Sequence, residues 1–330
     1  MNQWRIYKGV GEPHDEIQRL PPPPPWRAFT GNIIDVPLLD DDNDFMKRML
    51  ARGEVFQASE EVIELVNAAL YLRRPLLVSG KPGYGKSSLA YSIARELKLG
   101  PVLRWSTTTR STLADGLYSY DALARLQDTS YWKGTSVDDK PPDIGQYIRL
   151  GPLGAALLPS EKPRVLLIDE IDKSDIDLPN DLLHIFEEGE FDIPELVRLS
   201  QQNKVAQVYL GKNSSAKVSI VEGHVRCFAF PLIVMTSNEE REFPPAFLRR
   251  CLRLTMKEPT KDELIRIVEA HLGTDVIAQV TEIIDEFVSK RQHGDLATDQ
   301  LLNAVYLASR GFDTRERREL FEAILKHLTS

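Results

Sequence analysis

Eight residues set between an apolar run and a helix-forming stretch restrict this chain more than any other feature in it. Gly80-Lys81-Pro82-Gly83-Tyr84-Gly85-Lys86-Ser87 fits the spacing G-x-x-x-x-G-K-[ST] at every fixed position. Leu76, Leu77 and Val78 before it read as a short buried strand, and Ser87 to Leu97 after it carry helical spacing. Glycines in such a loop let consecutive backbone N–H groups turn inward at a helix N-terminus, which makes an anion cradle. Lys86 then reaches the β and γ phosphates of a nucleotide, and the Ser87 hydroxyl ligates Mg²⁺, with Ser88 beside it in the first helical turn. Average residue usage gives a chance match in a chain this long on the order of 0.01 times. ATP and Mg²⁺ are therefore the expected ligands.

The flanking pattern extends this into a fold. Ser59 to Leu70 read as a capped helix, Val165 to Ile168 and Leu232 to Thr236 as two further buried strands, and Leu178 to Glu188 as a helix between them. Strands and helices alternate, so the chain is predicted to be α/β, with a three-layer P-loop domain on a parallel sheet. Beyond Pro259 the pattern changes to four helical stretches, around Leu264 to His271, Val280 to Phe287, Leu301 to Leu307 and Leu320 to Leu325. A small all-α lid is expected there. The predicted divisions are 1–44, an N-terminal arm; 45–258, the nucleotide-binding domain; and 259–330, the lid.

Two strand ends carry the expected chemistry. Val165-Leu166-Leu167-Ile168 runs into Asp169 and Glu170, and a parallel sheet brings that end beside the phosphate loop. Asp169 can hold the Mg²⁺ shell, and Glu170 can polarise a water for attack on the γ-phosphate. Leu232 to Ser237 end in Asn238, which either orients that water and senses the γ-phosphate or closes the strand as a turn residue.

Composition bounds the alternatives. Of 330 residues, 42% are hydrophobic and 27% charged, which describes a folded globular chain with enough core for one large or two unequal domains. Formal net charge is −8, so bulk electrostatics disfavour a nucleic-acid partner. No apolar stretch reaches the ~20 residues of a membrane span, and Met1 to Gly11 lack the apolar run of a secretory signal. Cys227 and Cys251 have no ligand spacing, which fits a reducing compartment, and a cytoplasmic location is expected. His184 and His224 also lack ligand-spaced partners and read as structural or surface residues.

The arm is the least regular segment. Pro21 to Pro25 favour a stiff polyproline II spacer, and Trp26 and Phe29 after it are expected to pin the arm to the domain, the alternative being a site for a proline-recognising partner. Asp40, Asp41, Asp42 and Asp44 read as a solvated loop rather than a metal site.

Taken in order, the glycine loop at Gly80 to Ser87, the acidic strand end at Asp169 and Glu170, Asn238, and Pro244-Pro245-Ala246-Phe247-Leu248-Arg249-Arg250 resemble the AAA+ ATPases. The phrases "NAALYLRRPLLVSGKPGYGKSSLA", "DEIDKSDIDLPNDLLHIFEEGEF" and "PPAFLRRCLRL" resemble the MoxR-like branch, which carries a helix 2 insert. The resemblance spans Ser59 to Leu328 and omits the arm.

That resemblance implies an ATPase that remodels or activates a partner protein in a chaperone-like way, often one bearing a von Willebrand factor A domain. It also implies a ring, usually a hexamer, whose sites lie between neighbours. Asn238 becomes sensor 1, and Arg250 first and Arg249 second become candidates for an arginine finger acting on the adjacent subunit. Residues 111–150 match the position of the helix 2 insert and 192–230 that of the presensor 1 hairpin. The insert aromatics Tyr118, Tyr120, Tyr131 and Trp132 are expected to pack within it rather than to grip a substrate. One departure stands out: the lid arginine of sensor 2 is replaced by Ala297-Thr298-Asp299-Gln300-Leu301, where Thr298 or Asp299 looks like a helix cap and only Arg291 and Arg310 remain as substitutes. An ATP-gated switch or scaffold with slow hydrolysis and a DNA-acting motor of a defence system are the competing functions. A small-molecule kinase is weaker still, since nothing resembles an acceptor pocket.

Overall fold

The computed structural model describes residues 4–37, 51, 53–132, 143–200, 204–211, 214–273, 277–291, 296–310 and 318–325. The acidic run Asp40, Asp41, Asp42 and Asp44 lies outside them. With helices of seven residues or more numbered, the chain runs α1 (Glu60–Leu72), β1 (Leu76–Ser79), α2 (Lys86–Glu96) and β2 (Leu103–Ser106). Strands β3 (Tyr118–Tyr120) and β4 (Ile148–Leu150) flank α3 (Ala122–Trp132), and β5 (Val165–Asp169) leads into α4 (Leu178–Glu188). Four strands follow, β6 (Glu190–Asp192), β7 (Val205–Leu210), β8 (Lys217–Val221) and β9 (His224–Arg226), then β10 (Leu232–Ser237) and β11 (Leu252–Thr255). Helices α5 (Lys261–Leu272), α6 (Ile277–Arg291), α7 (Thr298–Ser309) and α8 (Arg318–Ile324) end the described chain.

The central sheet has the order β11-β1-β10-β5-β2, and its pairings are all parallel. Side chains alternate across it, so each strand supplies two cores. Leu76, Val78, Val165, Leu167, Leu232 and Val234 face α1 and α2, while Leu77, Leu166, Ile168, Ile233 and Met235 face α4 and the second sheet. Burial on both faces explains why β1, β5 and β10 are continuous apolar runs. The register sets Ser106 opposite Asp169 and Ile168 opposite Met235, which aligns the carboxyl ends of β2, β5 and β10.

The second sheet, β3-β4-β7-β8-β9-β6, joins the two segments read from sequence as separate additions. β4 from 111–150 pairs in parallel with β7 from 192–230, so the insert and the hairpin form one layer. Tyr118 and Tyr120 pack against its core, whereas Tyr131 on α3 is 79% exposed. The C-terminal helices have a core of their own around Leu264, Ile284, Phe287, Leu301 and Val305.

The arm is fastened far more tightly than a spacer would be. Asn67 on α1 accepts from Ile6 N and Tyr7 N at 2.6 and 3.0 Å and donates to Tyr7 O at 2.7 Å. Fully buried Glu96, the last residue of α2, accepts from the backbone N–H groups of Lys8, Gly9, Val10 and Gly11 at 2.5 to 3.2 Å. Gly9 and Gly11 have φ of 70° and 72°, the left-handed turns that wrap a loop around an anion. Further on, Arg27 donates to Phe186 O and Arg73 O at 2.6 Å and lies over the stacked rings of Phe29 and Phe230. Phe29 therefore pins the arm as expected, but Trp26 does not, being 76% exposed.

Glu96→Ala would leave four backbone donors without their acceptor, a loss of about 3 kcal/mol or more in unfolding free energy. Urea unfolding monitored by circular dichroism measures it, and an unchanged midpoint would remove the carboxylate from this role.

Candidate active site

The glycine loop leaves β1 and enters α2 through three left-handed or extended positive-φ glycines, Gly80, Gly83 and Gly85, with φ of 138°, 79° and 79°. Lys81, Pro82 and Gly83 are exposed, Tyr84, Ser87 and Ser88 half-buried, and Lys86 buried. Close packing also demands glycine: a Cβ at Gly80 would stand 2.8 Å from Met256 O, and one at Gly83 would stand 2.5 Å from the Cβ of Ala297. The loop is thus held between β11's end and the start of α7.

Lys86 Nζ donates to Gly80 O, Lys81 O and Asn238 Oδ1, the last two at 2.9 and 2.8 Å. Burial lowers its pKa, while the nearby carboxylates Asp172, Asp169 and Glu170 act in the opposite direction. Lys86 and Asn238 are therefore in direct contact, joining the glycine loop to the end of β10.

Asp169 is the centre of the arrangement. It is 7% exposed, and its Oδ1 accepts from Ser87 Oγ at 2.7 Å and from Thr236 Oγ1 at 2.8 Å. Its Oδ2 accepts from Arg104 Nη2 at 2.7 Å. Burial pushes the carboxyl up, but the three hydrogen bonds and the Arg104 charge outweigh it, so Asp169 sits below the ordinary aspartate range. A hydroxyl and a carboxylate this close at a helix N-terminus form the hard-oxygen donor set that suits Mg²⁺.

Glu170 adopts φ 60°, a left-handed conformation that strains a residue with a Cβ. Its neighbours fix it there: Glu170 N donates to Thr236 Oγ1 at 2.9 Å, and Glu170 O accepts from Thr107 Oγ1 at 2.7 Å. The side chain pairs with Lys173 at 3.0 Å and remains nearly half exposed. This hydrogen bond raises the pKa of Lys173.

The loops after the two strands are stitched together. Asp172 Oδ2 accepts from Asn238 N at 2.8 Å and Glu240 N at 3.3 Å. Arg241 donates to Ser174 O at 2.8 Å and to Ile171 O at 3.2 Å. Gly80 to Ser87, Asp169, Glu170 and Asn238 thus converge within the chain, and Arg249 and Arg250 do not join them. Arg250 Nε pairs with Glu187 Oε1 at 2.6 Å, whereas Arg249 has an exposed side chain, its carbonyl accepting from Arg74.

At the start of α7 the cap is Ala297, whose N–H donates to Gln300 Oε1 at 2.8 Å, rather than Thr298 or Asp299. Arg291 pairs with Glu258 and donates to Pro259 O, and Arg310 lies over Tyr306, so each is engaged within the C-terminal region. Cys227 and Cys251 are buried free thiols, both pushed up to about 12 by burial. His224 pairs with Asp192 across β9 and β6, and His184 is exposed. Among the described residues no cluster of three or more His, Cys, Asp or Glu could hold a metal, and no helix is long and apolar enough to cross a membrane.

Sequence reasoning missed Arg104, Thr107, Asp172, Thr236 and Arg241. Thr236 carried a usable signal, since a hydroxyl inside the buried run Leu232–Ser237 requires a partner. Arg104 carried a weaker one, a charge in the alternating pattern of Leu103–Ser106.

Thr236→Val keeps the shape but deletes both hydrogen bonds, and should cost about 1–2 kcal/mol at neutral pH. Because the folded pKa of Asp169 is depressed, the stability it contributes is complete above about pH 4 and is lost as pH falls through the lowered value. The gap between wild type and Thr236→Val in urea unfolding should therefore narrow on acidification, and a gap independent of pH would detach Thr236 from the carboxylate.

Residues 75–251, more than half of the chain, match the family described as AAA domain (dynein-related subfamily). Over 302 residues the chain is 24% identical to the chaperone protein ClpB of Prochlorococcus marinus, a match covering 88% of this chain and 32% of that protein. The chain therefore spans about a third of the length of that curated relative. Among solved structures, domain III of the Thermotoga maritima replication initiation protein DnaA is similar at 17% identity and a TM-score of 0.40, covering 88% of this chain and all of that one.

Proposed function

Because the chain belongs to the AAA domain family, dynein-related subfamily, and is a P-loop ATPase of that family, we propose that it is a MoxR-type machine that couples Mg²⁺-dependent ATP hydrolysis to remodelling or activation of a partner protein. The observation that carries this reading is the joining of Ser87, Asp169, Thr236 and Glu170 in one hydrogen-bonded group. A site that only bound nucleotide would gain nothing from a strained glutamate fixed beside its metal-holding carboxylate.

In the proposed reaction the backbone of Gly80 to Ser88 and the Lys86 ammonium hold the phosphates. Ser87 and Asp169 would hold Mg²⁺, which when bound offsets charge on the phosphate oxygens. Glu170 accepts a proton from a water whose oxygen attacks the γ-phosphorus as the bond to ADP breaks. Asn238, already on Lys86, orients that water and senses the γ-phosphate.

We further place the chain in a cytoplasmic ring, a hexamer by the family pattern, with a chaperone-like role and a partner that carries a von Willebrand factor A domain. Arg249 or Arg250 would complete a neighbour's site. Arg250 must release Glu187 to do so, and Arg249 has no such ion pair to break among the described residues. A slow-hydrolysing switch is the second reading, favoured by the Lys173 contact that holds the Glu170 carboxylate.

Lys86→Ala should abolish ATP binding in a calorimetric titration. Glu170→Gln should bind ATP yet lose turnover by about 10²-fold or more, and wild-type phosphate release from it would move the base elsewhere. Mixing Glu170→Gln subunits with Arg249→Ala or Arg250→Ala subunits should restore some hydrolysis for whichever arginine acts across an interface. Silence at every ratio of verified mixed rings would count against that geometry.

A further inference from the structure

Asp169 carries a partner that the proposed reaction does not use. β2 is an edge strand of the central sheet and pairs in parallel with β5, with Arg104 opposite Leu167 and Ser106 opposite Asp169. Leu103 and Trp105 turn into the core shared with Leu166 and Ile168. Alternation then puts Arg104 on the other face, the one that carries Val165, Leu167 and Asp169. From there the Arg104 guanidinium reaches Asp169 Oδ2 at 2.7 Å, while Oδ1 is held by Ser87 and Thr236.

Charge makes this contact consequential. Among the described ion pairs, Arg104 is the cation on Asp169, and Asp169 is the acceptor of Arg104. Lys86, the other nearby cation, directs its donors to Gly80 O, Lys81 O and Asn238 Oδ1, and Lys173 pairs with Glu170. A structural ion pair between an edge strand and its neighbour would not need the carboxylate that also holds the Ser87 hydroxyl. Arg104 is 38% exposed at its side chain and Asp169 10%, so the pair sits where solvent weakens electrostatic interactions only in part.

We propose that Arg104 is a positioning residue that sets the metal affinity of the site. Its guanidinium neutralises one oxygen of Asp169 and fixes the carboxylate orientation, and its positive charge opposes a divalent cation drawn to the same group. The effect is to raise the Mg²⁺ concentration that nucleotide binding requires. This rests on the reading of Ser87 and Asp169 as the residues that hold Mg²⁺.

The test uses the full chain and ATPγS titrated by isothermal calorimetry, with free Mg²⁺ buffered from EDTA conditions to excess. Arg104→Gln and Arg104→Met both remove the charge, so either folded variant suffices, with folding checked by thermal unfolding. Each should bind ATPγS half-maximally at about tenfold lower free Mg²⁺ than wild type. Arg104→Lys, which keeps the charge, should stay near the wild-type midpoint. An unchanged or higher Mg²⁺ midpoint in a folded neutral variant overturns the proposal. Asp169→Asn separates the two levels: a wild-type Mg²⁺ midpoint in that folded variant sinks the metal-holding reading itself. A raised midpoint in Asp169→Asn, together with an unmoved midpoint in the Arg104 variants, sinks only the role given to Arg104.

Discussion

The Asp169 carboxylate is the point at which three separate elements become one site. Ser87 comes from the helix after the glycine loop, Thr236 from β10 and Arg104 from β2, and all three donate to it. A buried carboxylate with three donors is stable as an anion, whereas the loss of any one donor leaves part of its desolvation cost uncompensated. The site therefore depends on the relative register of β2, β5 and β10. A shift of one residue in β5 would turn Asp169 to the opposite face and break every one of these contacts. The same Thr236 hydroxyl also accepts from Glu170 N, so the strained backbone of Glu170 is tied to the carboxylate that precedes it.

Much of this was legible before any coordinates. The glycine loop, the acid-ending strand and Asn238 are local patterns whose residues speak for themselves, and the structure brings them into contact. β1, β5 and β10 were readable because burial on both faces makes them uninterrupted apolar runs. β2 and β11 were not, because they lie at the sheet edges: Leu103–Ser106 alternates buried and exposed, and only Leu254 of Leu252–Thr255 is fully covered. Four residues of alternating character cannot be told from a loop by periodicity. Arg104 was lost with β2, since nothing in sequence links it to a carboxylate 65 positions away.

The arm failed to announce itself for a related reason. Five consecutive prolines suggest a spacer, yet what anchors the first residues of the segment is one glutamate at the end of α2 and one asparagine on α1. Each looks like an ordinary helix residue, and its value comes only from the backbone amides that the arm brings to it. Asn67 and Glu96 reach residues 60 to 88 positions away, so the arm is held by long-range contacts that no local pattern encodes. The second sheet follows the same logic, because the parallel pairing of β4 with β7 crosses from one apparent insertion to the other.

The approach of the C-terminal helices to the glycine loop completes the physical picture. A side chain at Gly83 would collide with the Cβ and Cα of Ala297 and with Thr298 N, so the loop and the start of α7 touch through small residues and backbone. Gly83 is also at φ 79°, which means glycine is required twice, once for the turn and once for the approach. The C-terminal region has its own core and meets the loop by close packing at Gly83. Contacts of that kind tolerate little displacement, because close-packed atoms have no slack to absorb it. A displacement of the backbone at Gly83 therefore presses directly on Ala297 and Thr298 at the start of α7, whereas Gly80 meets Met256 after β11 and Gly85 meets Phe56.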